Sequence, residues 1–165
     1  MVNDWLDPYS EKKITSEILF RTNVDGDGSN NFHNKCNGKG PTITFIKTTT
    51  GKRIGGFANI SWASTNNYRE DPNAFIFSLD ACQKFVQYRN QGSAIYDYSG
   101  YGPTFGGGHD ICIANGCKSN SSSYCNSNHT YGFFNSYNMI HNGTQNTAFQ
   151  VADYEVYLIK FNKKE

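Results

Sequence analysis

His109 and Asp110 stand side by side at the mouth of the glycine-rich run Gly100–Ile111, and a neighbouring His and Asp are two thirds of a nucleophile–base–acid triad. Their adjacency works against that chemistry. In a strand from Asp110 to Ala114 neighbours point to opposite faces, so Asp110 cannot orient the His109 ring. His33 and Cys36 are better spaced for a thiol–imidazole pair, because residues three apart on a helix share a face. No third group is identifiable to orient that histidine, and Phe32 draws Cys36 onto the packed face. A thiol-based or hydrolytic enzyme on Cys36 and His33 is therefore an alternative, not the leading reading.

Metal chemistry meets similar obstacles. His109, Cys112, Cys117, Cys125 and His129 are zinc-ligand types without the paired short spacings of structural zinc sites. The same strand would put His109 with Ile111 and Ile113 on one face, and Asp110 with Cys112 on the other. A buried histidine and a small packing cysteine account for both more simply. Asn23-Val24-Asp25-Gly26-Asp27-Gly28 matches the opening of a calcium loop, but Asn34 stands where the bidentate Glu is needed. An Asx-rich turn into a short helix explains it. Gly38-Lys39-Gly40-Pro41-Thr42 is no phosphate loop, because Pro41 lacks an N–H, and Phe105 breaks the Gly-x-Gly-x-x-Gly pattern. The residues predict no catalytic centre, no metal and no cofactor.

What remains is surface. Gly106, Gly107 and Gly108 fit a sharp bend whose bare backbone can approach a partner and offer N–H donors. With Asp110 facing outward to meet a basic residue, these four are the candidate partner-binding residues. Tyr96, Tyr98 and Tyr101 beside them suit an aromatic rim for a partner or a carbohydrate, or simple packing with wet hydroxyls.

The elements that must position these residues are mostly strands. Ser10-Glu11-Lys12-Lys13 reads as a helix cap and first turn, with Ile14, Ile18 and Leu19 forming an apolar face. A second short helix is predicted from an N-cap at Ser29 through Cys36, stopped by Gly38, with Phe32 and Cys36 packing inward. Beyond Pro41 the pattern turns β. Strands are expected at 42–48, 53–60 (broken by Gly55-Gly56), 74–79, 85–88, 94–98, 110–114 and 149–151, with turns at Thr50-Gly51-Lys52 and Asp71-Pro72-Asn73. Residues 155–161 form a nearly continuous apolar strand, expected to be central. The Ser/Asn-rich stretch 117–128 reads as loop. Many short strands predict a mainly β (α+β) domain, an antiparallel two-sheet sandwich with a few short helices. Phe45, Phe57, Phe75, Phe77, Ile111, Val156 and Leu158 are the expected core.

Composition sets the outer bounds. The chain has 165 residues and a net charge of +1, which suits one domain and gives no electrostatic footprint for nucleic acid. No apolar stretch is long enough for membrane insertion, and no signal peptide is recognisable. Five cysteines, an odd count at irregular spacing, suit free thiols in a reducing compartment. Four glycosylation patterns, at Asn59, Asn120, Asn128 and Asn142, are expected by chance in so polar a chain. The reading is a soluble, cytoplasmic domain.

Several motifs occur together in a recognisable order. They are Asp25-Gly26, Phe32-His33-x-x-Cys36, Gly40-Pro41-Thr42-Ile43-Thr44-x-Ile46-Lys47, Gly55-Gly56-Phe57 and Ser61-Trp62. Asp71-Pro72-Asn73-Ala74-Phe75-x-Phe77-Ser78-Leu79, Tyr101-Gly102-Pro103-x-Phe105-Gly106-Gly107-Gly108-His109-Asp110-Ile111 and Tyr154-Glu155-Val156-Tyr157 complete the set. In this the chain resembles the TLDc domain family, with the domain at 19–162 and a helical lead-in at 1–18. The resemblance implies a two-sheet sandwich, no defined reaction, and a protein partner in the cytosolic sector of the vacuolar proton ATPase. It also implies a role in oxidative-stress resistance and a cytoplasmic location, peripheral to organelle membranes through that partner. Family members often carry this domain at the C-terminus of a longer protein. A glycan-binding sandwich is the further alternative, which the tyrosines would suit.

Overall fold

The β-branched and aromatic runs of this chain pair into two six-stranded antiparallel sheets that pack face to face. A computed structural model describes residues 1–6, 11–132, 135–141, 143 and 145–164. In chain order the elements are α1 (Val2–Trp5), β1 (Lys12–Arg21), α2 (Thr22–Asp25), α3 (Ser29–Cys36), β2 (Thr42–Thr48) and β3 (Arg53–Ala58). Then come β4 (Asn67–Arg69), β5 (Phe75–Ser78), β6 (Gln83–Val86), β7 (Ile95–Asp97), β8 (Thr104–Phe105) and β9 (Ile111–Cys112). Last are β10 (Ser123–Tyr124), α4 (Ser136–Ile140), β11 (Ala148–Phe149) and β12 (Val151–Lys163). The first sheet has the order β1-β12-β2-β3-β5-β6, the second β11-β10-β9-β8-β7-β4. This is the expected mainly β sandwich, and the strand at 155–161 is interior, between β1 and β2.

Two expectations need correction. Residues 12–19 are strand, not helix: β1 pairs along β12, with Ile14 opposite Phe161 and Ser16 opposite Ile159. Ile14 and Ile18 lie four apart, a spacing that satisfies both a helical face and one face of a strand, and β12 supplies the pairing that decides. The proposed cap, Ser10, lies outside the described residues, as do Asn142 and Thr144 of one glycosylation pattern. The helical part of the lead-in is α1. The second correction concerns β3, which runs unbroken through Gly55 and Gly56.

There are two cores. Between the sheets lie Phe20, Phe32, Ile54, Trp62, Phe105, Ile111, Tyr131, Phe149, Tyr154 and Val156, among others. The α3 helix closes one end, its Phe32 ring 5.4 Å from Trp62 and 6.1 Å from Phe20. Three of the expected core phenylalanines belong to the second core. Phe57, Phe75 and Phe77 are buried on the outer face of the first sheet with Leu6, Ile43 and Ile159, while Phe45 is only partly buried there. They are buried because α1 lies on that face, with Trp5 packed 5.4 Å from Phe77. Leu158 is half-buried.

Gly55 and Gly56 hold the two cores in register. A Cβ on Gly56 would lie 2.5 Å from the Phe105 ring of the opposite sheet, and one on Gly55 would lie 2.0 Å from the Thr44 carbonyl and 2.5 Å from Phe77. Gly56→Ala is therefore expected to destabilise the domain by about 1–3 kcal/mol through overpacking. Urea unfolding measures it, and an unchanged midpoint would contradict the close approach.

Candidate functional site

The outer face of the second sheet gathers six aromatic side chains. On β4 and β7, Tyr68 stands opposite Tyr96, and their neighbours Ile95 and Asp97 turn inward. Ring centroids are 4.5 Å apart for Tyr68–Tyr96, 5.5 Å for Tyr96–Tyr98 and 5.0 Å for Tyr96–His109. Tyr101 lies 5.1 Å from Tyr98, and Tyr124 lies 5.8 Å from His109. Below this layer, Thr104 and Cys112 face each other across β8 and β9, both fully buried. Tyr68 and Tyr98 remain 41% and 37% exposed, so the layer is a surface rather than a core.

His109 is the hub. Its Nε2 lies 3.1 Å from the Tyr68 hydroxyl, and its Nδ1 bonds the Tyr124 hydroxyl. A neutral imidazole has one donor and one acceptor nitrogen, so it bridges two phenols without carrying charge. Burial holds the ring below its ordinary pKa, with His129 adding repulsion. The same burial raises the phenols of Tyr68, Tyr101 and Tyr124. At neutral pH the six rings form an uncharged patch.

The glycine run builds this hub, but differently from the expectation. Asp110 does not face outward: it is fully buried and accepts from the His129 N–H at 3.0 Å and the Thr130 N–H at 2.9 Å. The strand begins only at Ile111, and His109 adopts φ 60, which breaks the alternation. The break turns His109 out onto the side of Cys112 and tucks Asp110 beneath the loop. Gly106, at φ 92, has room only for hydrogen, because a Cβ there would meet the Asp110 carboxylate at 1.9 Å. Gly108 packs as closely on the His129 ring. The N–H groups of Gly106 and Gly107 bond the Ala94 carbonyl and the Thr130 hydroxyl, so they are not offered to a partner. Burial pushes the Asp110 carboxyl above its ordinary value, against the pull of the amides of the 129–131 segment.

The other candidates are not brought together. Cys36 is buried, its thiol pushed up to about 12 by burial and by Asp25. The Nε2 of His33 faces the carbonyls of Tyr98 and Tyr101 at 3.0 and 2.9 Å, and its Nδ1 is 2.8 Å from Asn37. That histidine ties α3 to the turn that carries two of the tyrosines. In the calcium-like segment the acidic groups diverge. Asp25 accepts from the Arg21 N–H, and Asp27 accepts from the Lys118 N–H and the Ser119 hydroxyl. Cys112, Cys117 and Cys125 are buried with thiols raised by desolvation. Among the described residues, no three or more His, Cys, Asp or Glu side chains are grouped to hold a metal ion. A groove of about 800 Å³ crosses the first sheet beside α1, but its Glu155 is already bound by the Tyr157 hydroxyl and Arg21.

Sequence reasoning found Tyr96, Tyr98 and Tyr101 and missed Tyr68 and Tyr124. Tyr124 sits inside the Ser/Asn-rich stretch, whose composition hides the two-residue strand β10. Tyr68 joins the cluster only through β4–β7 pairing.

A family model described as the TLDc domain matches residues 2–160. The chain belongs to the TLDc family. It is similar to the MTOR-associated protein MEAK7 of Danio rerio, at 32% identity over 62 residues, covering 38% of this chain and 14% of the relative. It is also similar to the MTOR-associated protein MEAK7 of Gallus gallus, at 30% identity over 84 residues, covering 51% and 16%. The chain thus spans about a seventh of the length of these curated relatives.

The TLDc hub carries a pH signature. An unfolded histidine takes up its proton near 6.5, whereas folded His109 does so at lower pH. As pH falls through 6.5 and below, the unfolded state binds more protons and stability drops. His109→Gln keeps a polar group but cannot titrate, so it is expected to lose less stability than wild type between pH 7.5 and pH 5. Urea midpoints at the two pH values test this, and equal losses would contradict it.

Proposed function

We propose that this TLDc domain is a non-catalytic protein-interaction module that docks through the tyrosine face of its second sheet. The supporting observation is the patch itself: six contiguous, uncharged rings on an outer sheet face, with two tyrosines more than a third exposed. Tyrosine-rich, charge-depleted patches are where interface energy concentrates. The bend at Gly107 and Gly108 borders the patch, and Asp110 supports it from beneath. The candidate thiol–imidazole pair supports the same reading, since the Cys36 thiol is buried and pushed up to about 12, which makes it a poor nucleophile at neutral pH.

The family resemblance points to the cytosolic sector of the vacuolar proton ATPase as partner, and to a role in oxidative-stress resistance. The domain would then work in the cytoplasm, reaching organelle membranes through that partner. No helix among the described residues is long and apolar enough to cross a membrane. The name of the two relatives, MTOR-associated protein, favours a second reading, in which the partner is an MTOR-containing assembly.

Affinity capture from native lysate tests both. The wild-type domain is expected to retain the pump sector, Tyr98→Ala and Tyr68→Ala to retain it about ten-fold less, and Tyr137→Ala, exposed outside the cluster, to match wild type. Capture of the MTOR assembly instead would select the second reading. Capture of neither would overturn the assignment.

A further inference from the structure

The net charge of +1 conceals an uneven distribution, which the pairing of β1 with β12 creates. β2 pairs with β12 no further than Leu158, and the Ile159 N–H bonds the Pro41 carbonyl. Residues 160–163 pair with β1 alone. At about 3.3 Å per residue they carry a two-stranded ribbon end roughly 13 Å past its neighbour. Lys13, Thr15 and Asn162 on one face of that end, and Lys12 and Lys163 on the other, are all exposed.

Lysines far apart in the chain meet there. Lys12 stands directly opposite Lys163, Lys13 opposite Asn162 and Thr15 opposite Lys160, with Lys164 following. A groove of about 570 Å³ lies among Lys13, Thr15, Asn162, Lys163 and Lys164. At the base of the ribbon the Glu17 carboxyl is held below its ordinary range by the Lys160 hydrogen bond, with the charges of Lys160 and Lys39 adding to it. Glu17 is thus occupied, its carboxylate 2.6 Å from the Lys160 ammonium. Lys13 and Lys163 make no ion pair among the described residues. Like charges directly opposite weaken a strand pair, so the Lys12–Lys163 arrangement costs stability that an anion against it would restore. Ile14 and Phe161, opposite each other one step inward, pack on the second core and hold the ribbon end in place.

We propose that the end of the β1–β12 ribbon adsorbs to an anionic phospholipid surface, its lysines set against the headgroups. Clusters of about four to eight basic residues are what such surfaces attract. The lysines surround the ribbon end on both faces, so a ligand lying on one face reaches only part of the charge, whereas a broad anionic plane meets it end on. The basic residues are all lysines, compact charges suited to phosphates in no fixed array. The bidentate fork that selects carboxylates or guanine is absent there: Arg21, at the other end of β1, is bound to Glu155. Phe161 is packed on the second core and is not offered to stack on bases. With that apolar pair already engaged, the contact is electrostatic and on the surface, without insertion.

Co-sedimentation of the full chain with vesicles tests this. Binding is expected to vesicles of equal parts phosphatidylserine and phosphatidylcholine in about 0.1 M salt, with release in about 1 M salt. Vesicles of phosphatidylcholine alone should not bind. The double variant Lys13→Gln/Lys163→Gln should bind about ten-fold more weakly with its urea midpoint unchanged. Lys47→Gln, exposed on β2, should match wild type. Equal binding to the two kinds of vesicle would overturn the proposal, as would full binding by the double variant. So would tighter binding to a DNA duplex, to decaglutamate or to free inositol hexakisphosphate, with the vesicles ignored. The inference does not rest on the tyrosine face: vesicle binding without capture of the pump sector or the MTOR assembly sustains it.

Discussion

Two side chains that are not there set the geometry of this domain. β3 carries consecutive glycines, and each is filled by a ring from another strand: Gly56 by Phe105 from the opposite sheet, Gly55 by Phe77 from the neighbouring strand. Strands point alternate residues to opposite faces, so the pair leaves one gap on each side of the first sheet. Phe105 in the inner gap also meets Trp62 edge-on at 5.9 Å, and Trp62 meets Phe32 of α3. The helix, the inter-sheet core and the hairpin of β8 and β9 are thereby referred to one point. The hairpin then presents the glycine run and His109 on the far side of its sheet.

Buried carboxylates perform for the loops what the rings perform for the sheets. Asp71 accepts from the Asn59 and Ile60 N–H groups, Asp97 holds the 63–65 segment, and Asp110 holds 129–130. A buried carboxylate must find donors, and backbone amides of an irregular segment need acceptors, so each satisfies the other. The tyrosine face depends on two of these anchors. Asp97 adjoins both Tyr96 and Tyr98 in sequence, and Asp110 follows His109. A loop-rich sheet can thus display a fixed aromatic surface, braced by a helix at the Tyr98–Tyr101 turn, where His33 of α3 meets two carbonyls.

Sequence pattern was most informative where local chemistry and pairing agreed. The short helix ending at Cys36 was visible because Ser29, Phe32, Cys36 and Gly38 fall at helical positions, and the terminal strand because its apolar run fits no other element. β1 was not, because a four-residue spacing of isoleucines fits both periods and only the pairing with β12 separates them. The site was half visible. Three tyrosines lie close together in the chain, but Tyr68 and Tyr124 join them through long-range pairing. The outward turn of His109 and the inward turn of Asp110 follow from one left-handed residue, which parity along an assumed strand cannot anticipate.

The pairing of β1 with β12 has a consequence for how the chain comes into being. Lys12 lies beside Lys163 in the finished sheet, so the first strand made waits for the last. At roughly 5–20 residues per second, on the order of ten seconds pass between the emergence of the two partners from the ribosome. During that interval the edge of β2 that β12 will cover stays unpaired, and Ile14 lacks its partner Phe161. Contacts so distant along the chain slow folding. They also leave unpaired strand edges exposed while synthesis continues. Until the final strand arrives, β1 and the open edge of β2 are templates on which another chain could pair.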